Sequence, residues 1–465
     1  MKLNPPACSP VFPYFDDPLQ LGAEPWTIVL ESSQPHPILG RYSYFMTAPR
    51  KKLIWKAGKG HFGDGRWQFI TDPWAILQEW LAERRCETNP DLPPFQGGIA
   101  GLFSYDLARS LERLPAPRFD EFDLPDLAVG LFEPVLAFDN VTSQGHLMIS
   151  RDLSHVRRAS KACQTGKRLN LQPDQISLAA PSFPIAGEAI VSSSFSREEY
   201  LRAVKRAIDY IHAGDCFQVN LAQRLLAPSR SPLSLFRRLR ERSPSPFGGL
   251  FLADDFAVIS SSPERFIKLD ADGRIETRPI KGTRPRRSPV EADAAAALEL
   301  LYSDKDRAEN VMIVDLLRND LGKVSEYGSV NVETVCDVES YPSVHHLVSV
   351  VTGQLRQGLN GIDVLKAAFP GGSVTGAPKV RAMEIIAELE PTRRGPYCGS
   401  IGYIGFDGSM DTSITIRTYG IKDGMVTFQA GGGIVADSRP TDEYDETVAK
   451  ARALIAALTG PGGGS

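Results

Sequence analysis

FAVISSSPERFIKLDADGRIETRPIKGT, running from Phe256 to Thr283, sets the fold class of this chain. Short β-prone runs are broken at Asp270-Ala-Asp-Gly273, a cluster that favours a turn, so the stretch reads as strand, turn, strand. Glu264 and Lys281 lie on either side of that turn, and on adjacent strands their side chains can face one site. A lysine on a strand is ordinarily solvent-exposed. Buried beside Arg278 and Arg284, its amine would instead lose its proton readily and could act as a nucleophile. Spacing permits both readings.

Outward from this stretch, helices and strands mix. Upstream, FQVNLAQRLL (217–226) is strand-like, and Ser196 with Glu199 forms a capping box that opens a helix. That helix carries Tyr200, Val204, Ile208 and Ile211 on one face and stops at Gly214. Downstream, helices are expected over 303–321, 378–389 and 441–458, with strand text over 399–436 between the last two. Pro378 is expected in a first turn and Thr441 as an N-cap. Residues 1–165 are strand-rich, with one amphipathic helix at Trp74–Ala82. Residues 166–195 lack periodicity and read as a linker or surface crossing, 196–459 as the catalytic region, and 460–465 as a flexible tail.

Composition narrows the function classes. The 465 residues are 42% hydrophobic and 23% charged, an ordinary globular balance. A net charge of −4 gives no hint of the concentrated basic surface that nucleic-acid binding needs. Six cysteines stand far apart, which suits reduced thiols rather than disulfides or zinc. No apolar run approaches the ~20 residues that span a membrane, and no signal-peptide core precedes the first prolines. A cytoplasmic protein without a membrane partner is expected.

Three acids could hold a hard cation. Glu309 shares a helix with Met312, Ile313 and Leu316, and taken alone it is more simply solvated or paired with Lys305. Glu443 and Glu446 sit in the first turns of the last helix, where acids also complement the helix dipole. Magnesium is satisfied by one or two carboxylates with water and substrate, so spacing leaves these readings open. PGGSVTGAPK (370–379) could cradle an anion, but Ala377 and Pro378 stand where a nucleotide loop needs Lys and Ser/Thr. The triple glycine of AGGGIVADS (430–438) allows a ligand close to the backbone, or simply a bulge.

Taken in order, SSSPERF, RPIKGT, KDRAENVMIVDLLRND, HHLVS, GGSVTGAPKVRAMEII, CGSIGY, MDTSITIRT, AGGGIVADS and EYDETVAKARAL resemble the chorismate-utilising enzymes. This group contains anthranilate, aminodeoxychorismate, isochorismate and salicylate synthases. The resemblance implies an α+β fold: one large chorismate-binding body of two packed antiparallel β-sheets with helices outside, to which the N-terminal region contributes strands. It implies Lys281 as a nucleophile at ring C2 and Glu264 as the acid/base at the departing 4-hydroxyl. It further implies Glu309 and Glu446, with Glu443 close by, as holders of Mg²⁺. Arg417, Tyr403 and the N–H groups of Gly431, Gly432 and Gly433 would take the substrate carboxylates. His346, Ser373 and Lys450 would line the same pocket.

Two positions separate the branches. Lysine in PIKGT resembles the aminodeoxychorismate branch, which makes 4-amino-4-deoxychorismate for 4-aminobenzoate and folate; anthranilate synthases usually carry alanine there. Gln218 stands where the isochorismate and salicylate branches place a lysine to activate water. The chain shows no glutaminase motif, so ammonia from a separate glutamine amidotransferase subunit is expected. Glu31 and Ser32 of VLES, with Pro246 and Phe247 of SPSPF, resemble the segments lining a tryptophan pocket in this group. Alternatives are the anthranilate branch, which VLES slightly favours, and a chorismate-binding protein without turnover.

Overall fold

Arg265–Leu269 and Arg274–Thr277 pair antiparallel across the Asp270–Gly273 turn, with Lys268 opposite Glu276 and Leu269 opposite Ile275. Lys281 lies one strand further on. Its strand, Ile280–Pro285, pairs with Val344–Gln354 instead, so the lysine reaches Glu264 from beyond the hairpin. The computed structural model describes residues 7–13, 23–34, 39–149, 178–185, 187–228 and 231–459.

Two large antiparallel sheets organise the chain, as the α+β expectation requires. The first runs, by residue range, 7–13, 144–149, 135–139, 42–46, 27–31, 247–252, 256–262, 418–422, 425–434, 218–228, 188–193 and 183–185. The second runs 280–285, 344–354, 274–277, 265–269, 410–414, 400–405, 98–103, 127–132, 51–56, 59–61 and 68–69. The two halves of the chain interleave in both. Thr27–Glu31 pairs with Phe247–Leu252, and Gly98–Phe103 with Ser400–Gly405.

Apolar side chains from both sheets meet between them, among them Ile28, Met46, Phe251 and Val258 from the first and Ala100, Leu102 and Ile401 from the second. The outer faces are covered by helices. Leu235, Leu239, Leu454 and Ile455 of helices Pro232–Arg242 and Pro440–Thr459 pack on the first sheet. Trp74, Leu77, Ile313, Leu317 and Leu365 of Pro73–Ala82, Asp304–Gly322 and Gly361–Ala368 pack on the second. Among the described residues no helix is long and apolar enough to cross a membrane.

Local signals placed several ends correctly. Ser196 and Glu199 cap Arg197–His212 reciprocally, at 3.2 and 2.9 Å. Two other ends differ. Pro378 is the N-cap of Lys379–Leu389 with extended backbone, not a first-turn residue. Thr441 is not a cap, because the last helix already starts at Pro440, whose fixed φ suits a first turn. Part of the expected linker is sheet: Phe183–Ile185 and Glu188–Ser193 form a hairpin at the edge beside Gln218–Pro228. Residues 166–177 and the 460–465 tail lie outside the described residues.

Candidate active site

The chemistry gathers where the two sheets come together near helices Asp304–Gly322 and Pro440–Thr459. Glu264 is buried just before Arg265–Leu269, where leaving water raises the cost of its charged form. That burial pushes its carboxyl up to about 7, against the opposing pull of Ser373, Lys281 and the Ile280 N–H. Lys281, half-buried, donates from Nζ to the Ser373 carbonyl at 2.9 Å. Loss of water lowers its pKa, while Glu309, Glu264 and Glu446 pull the other way and Lys450 adds to the lowering. The cation beside Lys281 is thus Lys450. Arg278 and Arg284, the neighbours expected from sequence, turn away to Glu339 and to Glu299 and Asp306.

Glu309, Glu443 and Glu446 face the same space. Burial raises Glu309 and Glu443, and the Glu446 charge raises both further. Burial acts on Glu446 too, but Lys450, Lys305 and Lys281 overcome it and hold that carboxyl below its ordinary value. Lys450 Nζ bridges Glu446 at 2.6 Å and the Gly431 carbonyl at 3.0 Å. Ser438 Oγ donates to Glu443 at 2.7 Å. Among the described residues no three acids are drawn together as a ready-made metal cage. Mutually repelling hard oxygens held in one space nevertheless fit Mg²⁺, which needs only one or two carboxylates with water and substrate.

Strand Met425–Ile434 lays the triple glycine between these acids and Gln218. A Cβ on Gly432 would stand 2.9 Å from Glu443 Oε2, and one on Gly433 2.6 Å from Gln218 Nε2. Both amide atoms of the fully buried Gln218 lack a hydrogen-bond partner, as expected of a group kept for a ligand. Arg417 adopts φ +52 and meets no acid among the described residues; burial alone lowers its pKa. An enclosed guanidinium without a carboxylate suits a carboxylate substrate. His346 lies near Arg417, with Nδ1 2.9 Å from Thr283 Oγ1. Burial first, then Arg417 and His345, drive its pKa down to about 4, so it is neutral near pH 7.

Ser373 sits on the short turn Gly372–Val374, whose Ser373 carbonyl accepts from Lys281. Tyr403 is placed elsewhere. It stacks on Phe95 at 4.3 Å and lines a cavity of about 210 Å³ with Glu31, Pro246 and Phe247. In that second pocket Glu31 pairs with Arg240 at 3.2 Å. Adjacent Ser32 donates from Oγ to the Gln34 carbonyl at 2.8 Å.

Sequence reading passed over Asn310 and Ser349. Asn310 Nδ2 donates to the Leu347 carbonyl at 3.3 Å, and Ser349 Oγ donates to Asn310 Oδ1, tying the Glu309 helix to the His346 strand. Their signal was available, since Asn310 follows Glu309 and Ser349 closes HHLVS.

A buried acid beside a pKa-lowered lysine, with hard carboxylates on one side and an unpaired arginine on the other, defines an enzyme for a small carboxylate-bearing substrate. The chain belongs to the chorismate binding enzymes, whose family model matches residues 31–456. It is 43% identical to aminodeoxychorismate synthase component 1 of Klebsiella aerogenes, over 95% of each chain. It is 46% identical to anthranilate synthase component 1 of Thermus thermophilus, over 80% of this chain and 79% of that one. Its fold matches the crystal structure of anthranilate synthase component I from Streptococcus pneumoniae with TM-score 0.76 and 32% identity, over 90% and 93% of the two chains.

Proposed function

We propose that this enzyme converts chorismate and ammonia to 4-amino-4-deoxychorismate, in the route to 4-aminobenzoate and folate. The observation that carries this reading is Lys281, a desolvated amine facing the raised carboxyl of Glu264. Neutral Lys281 adds to ring C2, the ring double bonds shift, and the C4 hydroxyl leaves as water with the Glu264 proton. Ammonia then adds at C4, the double bonds shift back, and Lys281 departs from C2 as a neutral amine. The new C4 ammonium returns a proton to the Glu264 carboxylate, which resets both groups. Two displacements place nitrogen on the face the hydroxyl left.

Arg417, with the backbone of Gly431 to Gly433, would hold carboxylate groups of chorismate, and His346, neutral near pH 7, would line the same pocket. Gln218 would spend its two free amide atoms on the substrate. Glu309 and Glu446, with Glu443 beside them, would hold Mg²⁺. When bound, that ion supplies Lewis acidity at the ring carboxylate and so makes C2 more electrophilic. Nitrogen would come from a separate glutamine amidotransferase subunit, a reading supported by the component 1 names of the relatives. The pocket of Glu31, Pro246, Phe247 and Tyr403 would take tryptophan, with Tyr403 now among its walls.

The anthranilate reading keeps support from the Thermus thermophilus relative. Direct ammonia attack at C2 needs no lysine, and Lys281 weighs against it. Purified chain with chorismate, Mg²⁺ and ammonium decides between them. Product that aminodeoxychorismate lyase turns into 4-aminobenzoate is the expected result; anthranilate would place the chain in the other branch. Removing Mg²⁺ with a chelator should stop turnover, and adding it back should restore it.

A further inference from the structure

We propose that Arg394, held by Glu390, is a positioning residue that fixes the turn whose Ser373 carbonyl receives the Lys281 amine. The inference rests on the reading of Lys281 as the nucleophile, but not on which ring carbon receives nitrogen.

Strand Gln218–Pro228 pairs along one edge with Met425–Ile434, from Val219 to Pro228. Its other edge takes a strand at each end. Gly376 and Ala377 pair with Val219 and Gln218, and Ser193 and Ser192 with Leu225 and Leu226. The first of these pairings reaches as far as the Asn220 N–H, which donates to the Thr375 carbonyl at 2.7 Å. The residues before Thr375 leave the sheet as the turn Gly372–Val374. In the gap that this departure opens, an ion pair stands where a strand would. Arg394 Nη2 donates to the Asn220 carbonyl at 2.7 Å, and Glu390 Oε1 accepts from the Ala222 N–H at 2.9 Å.

Arginine and carboxylate meet in a fork, Nε to Oε2 at 2.9 Å and Nη2 to Oε1 at 2.6 Å, and both residues are buried. The rings of Tyr105 and Tyr397 flank the guanidinium at 4.8 and 5.6 Å. Its remaining arm, Nη1, donates to the Val374 carbonyl at 3.0 Å. Successive carbonyls of one turn are thus divided: Ser373 gives its oxygen to Lys281 at 2.9 Å, and Val374 gives its oxygen to Arg394. Ser373 also acts on Glu264, where it opposes the effect of burial. A buried ion pair carries a desolvation cost that apolar side chains would not. Here it lets the chain turn out of the sheet towards Lys281 while the buried backbone groups at the gap keep partners. A planar fork is needed to meet one carboxylate and two carbonyls at once, and a lysine cannot hold that geometry.

Two variants test this. Arg394→Lys keeps the charge and loses the fork. Arg394→Met combined with Glu390→Gln removes both charges, so that neither is left buried alone, and its amide oxygen can still accept from the Ala222 N–H. With chorismate, Mg²⁺ and ammonium, kcat should fall roughly ten- to a hundred-fold while KM for chorismate stays within about two-fold, as expected when a reacting group is misplaced and the substrate pocket is kept. A second readout needs no turnover. Substrate-free enzyme is treated briefly with acetic anhydride, and acetylation of Lys281 is measured by peptide mass spectrometry against exposed Lys205. Released from the Ser373 carbonyl, Lys281 should be acetylated several-fold faster in both variants. A folded variant with unchanged kcat and unchanged Lys281 acetylation would overturn the proposal. So would a loss confined to KM, or loss of cooperative unfolding in both variants, which would mark the pair as a support of the fold alone. An aminated product other than the 4-amino compound would sink the proposed activity yet leave the acetylation ratio readable.

Discussion

Lys281 can attack carbon only as a neutral amine, and its surroundings divide on that point: burial removes the proton while Glu309 and Glu264 favour keeping it. In the proposed chemistry Glu264 would give up its proton as the hydroxyl leaves, and burial pushes its carboxyl up to about 7. A carboxyl raised in this way is in its working, protonated form below that pH and loses it above. The rate of amination at saturating ammonia should therefore fall as pH rises through about 7. Glu264→Gln should slow turnover by roughly 10² to 10⁴, the usual worth of a general acid, and remove that limb. A wild-type rate that climbs steadily to pH 9 would take Glu264 out of the role of acid. Spacing left Glu264 and Lys281 open and the family resemblance singled them out; the strand that carries Lys281 pairs beyond the hairpin, which no local pattern showed. The place of Tyr403 was not legible: its strand Ser400–Gly405 is buried on both faces, so no alternation told which pocket the ring entered.

Among the elements, strand Met425–Ile434 has the narrowest tolerance. Gly432→Ala would set a methyl 2.9 Å from Glu443 Oε2 and 3.5 Å from Glu446 Oε1. Displaced carboxylates should weaken Mg²⁺ by roughly ten- to a hundred-fold, as changes to supporting residues usually do. Titrating activity against Mg²⁺ checks this; an unchanged midpoint would separate the acids from the metal. Helix Arg197–His212 offers the contrasting case. Ser196→Ala removes one half of its capping box and should cost about 0.5–2 kcal/mol in denaturant unfolding, with activity per folded molecule unchanged. Capping boxes are readable because they lie within four residues. The start of the last helix was misplaced by one residue because Pro440 and Thr441 both carry start signals, and only packing chooses between them.

At the scale of the whole molecule, the two sheets take strands from both halves of the chain, and no local pattern announces such pairing. The strand-rich character of residues 1–165 was visible, whereas the partners of those strands were not. In the structure Phe247–Leu252 and Ser400–Gly405 each lie against an N-terminal strand. A fragment spanning only 196–459 would open both edges and uncover the core between the sheets. It should be insoluble or lack cooperative unfolding, and a soluble fragment with a sharp thermal transition would contradict the shared core. The candidate site also spans both sheets, since Gln218 and the triple glycine lie on the first and Lys281 and His346 on the second.

The account turns on nitrogen reaching C4 by way of Lys281. Wild-type enzyme and Lys281→Ala, mixed side by side with chorismate, Mg²⁺ and ammonium and then rapidly quenched, give the direct measurement by mass spectrometry of products and protein. The account predicts 4-amino-4-deoxychorismate from the wild type, with a transient adduct of chorismate less one water on the Lys281 peptide. In the variant it predicts no adduct and the loss of most 4-amination, with any leak going to 2-substituted product. Undiminished 4-amination by Lys281→Ala would contradict it.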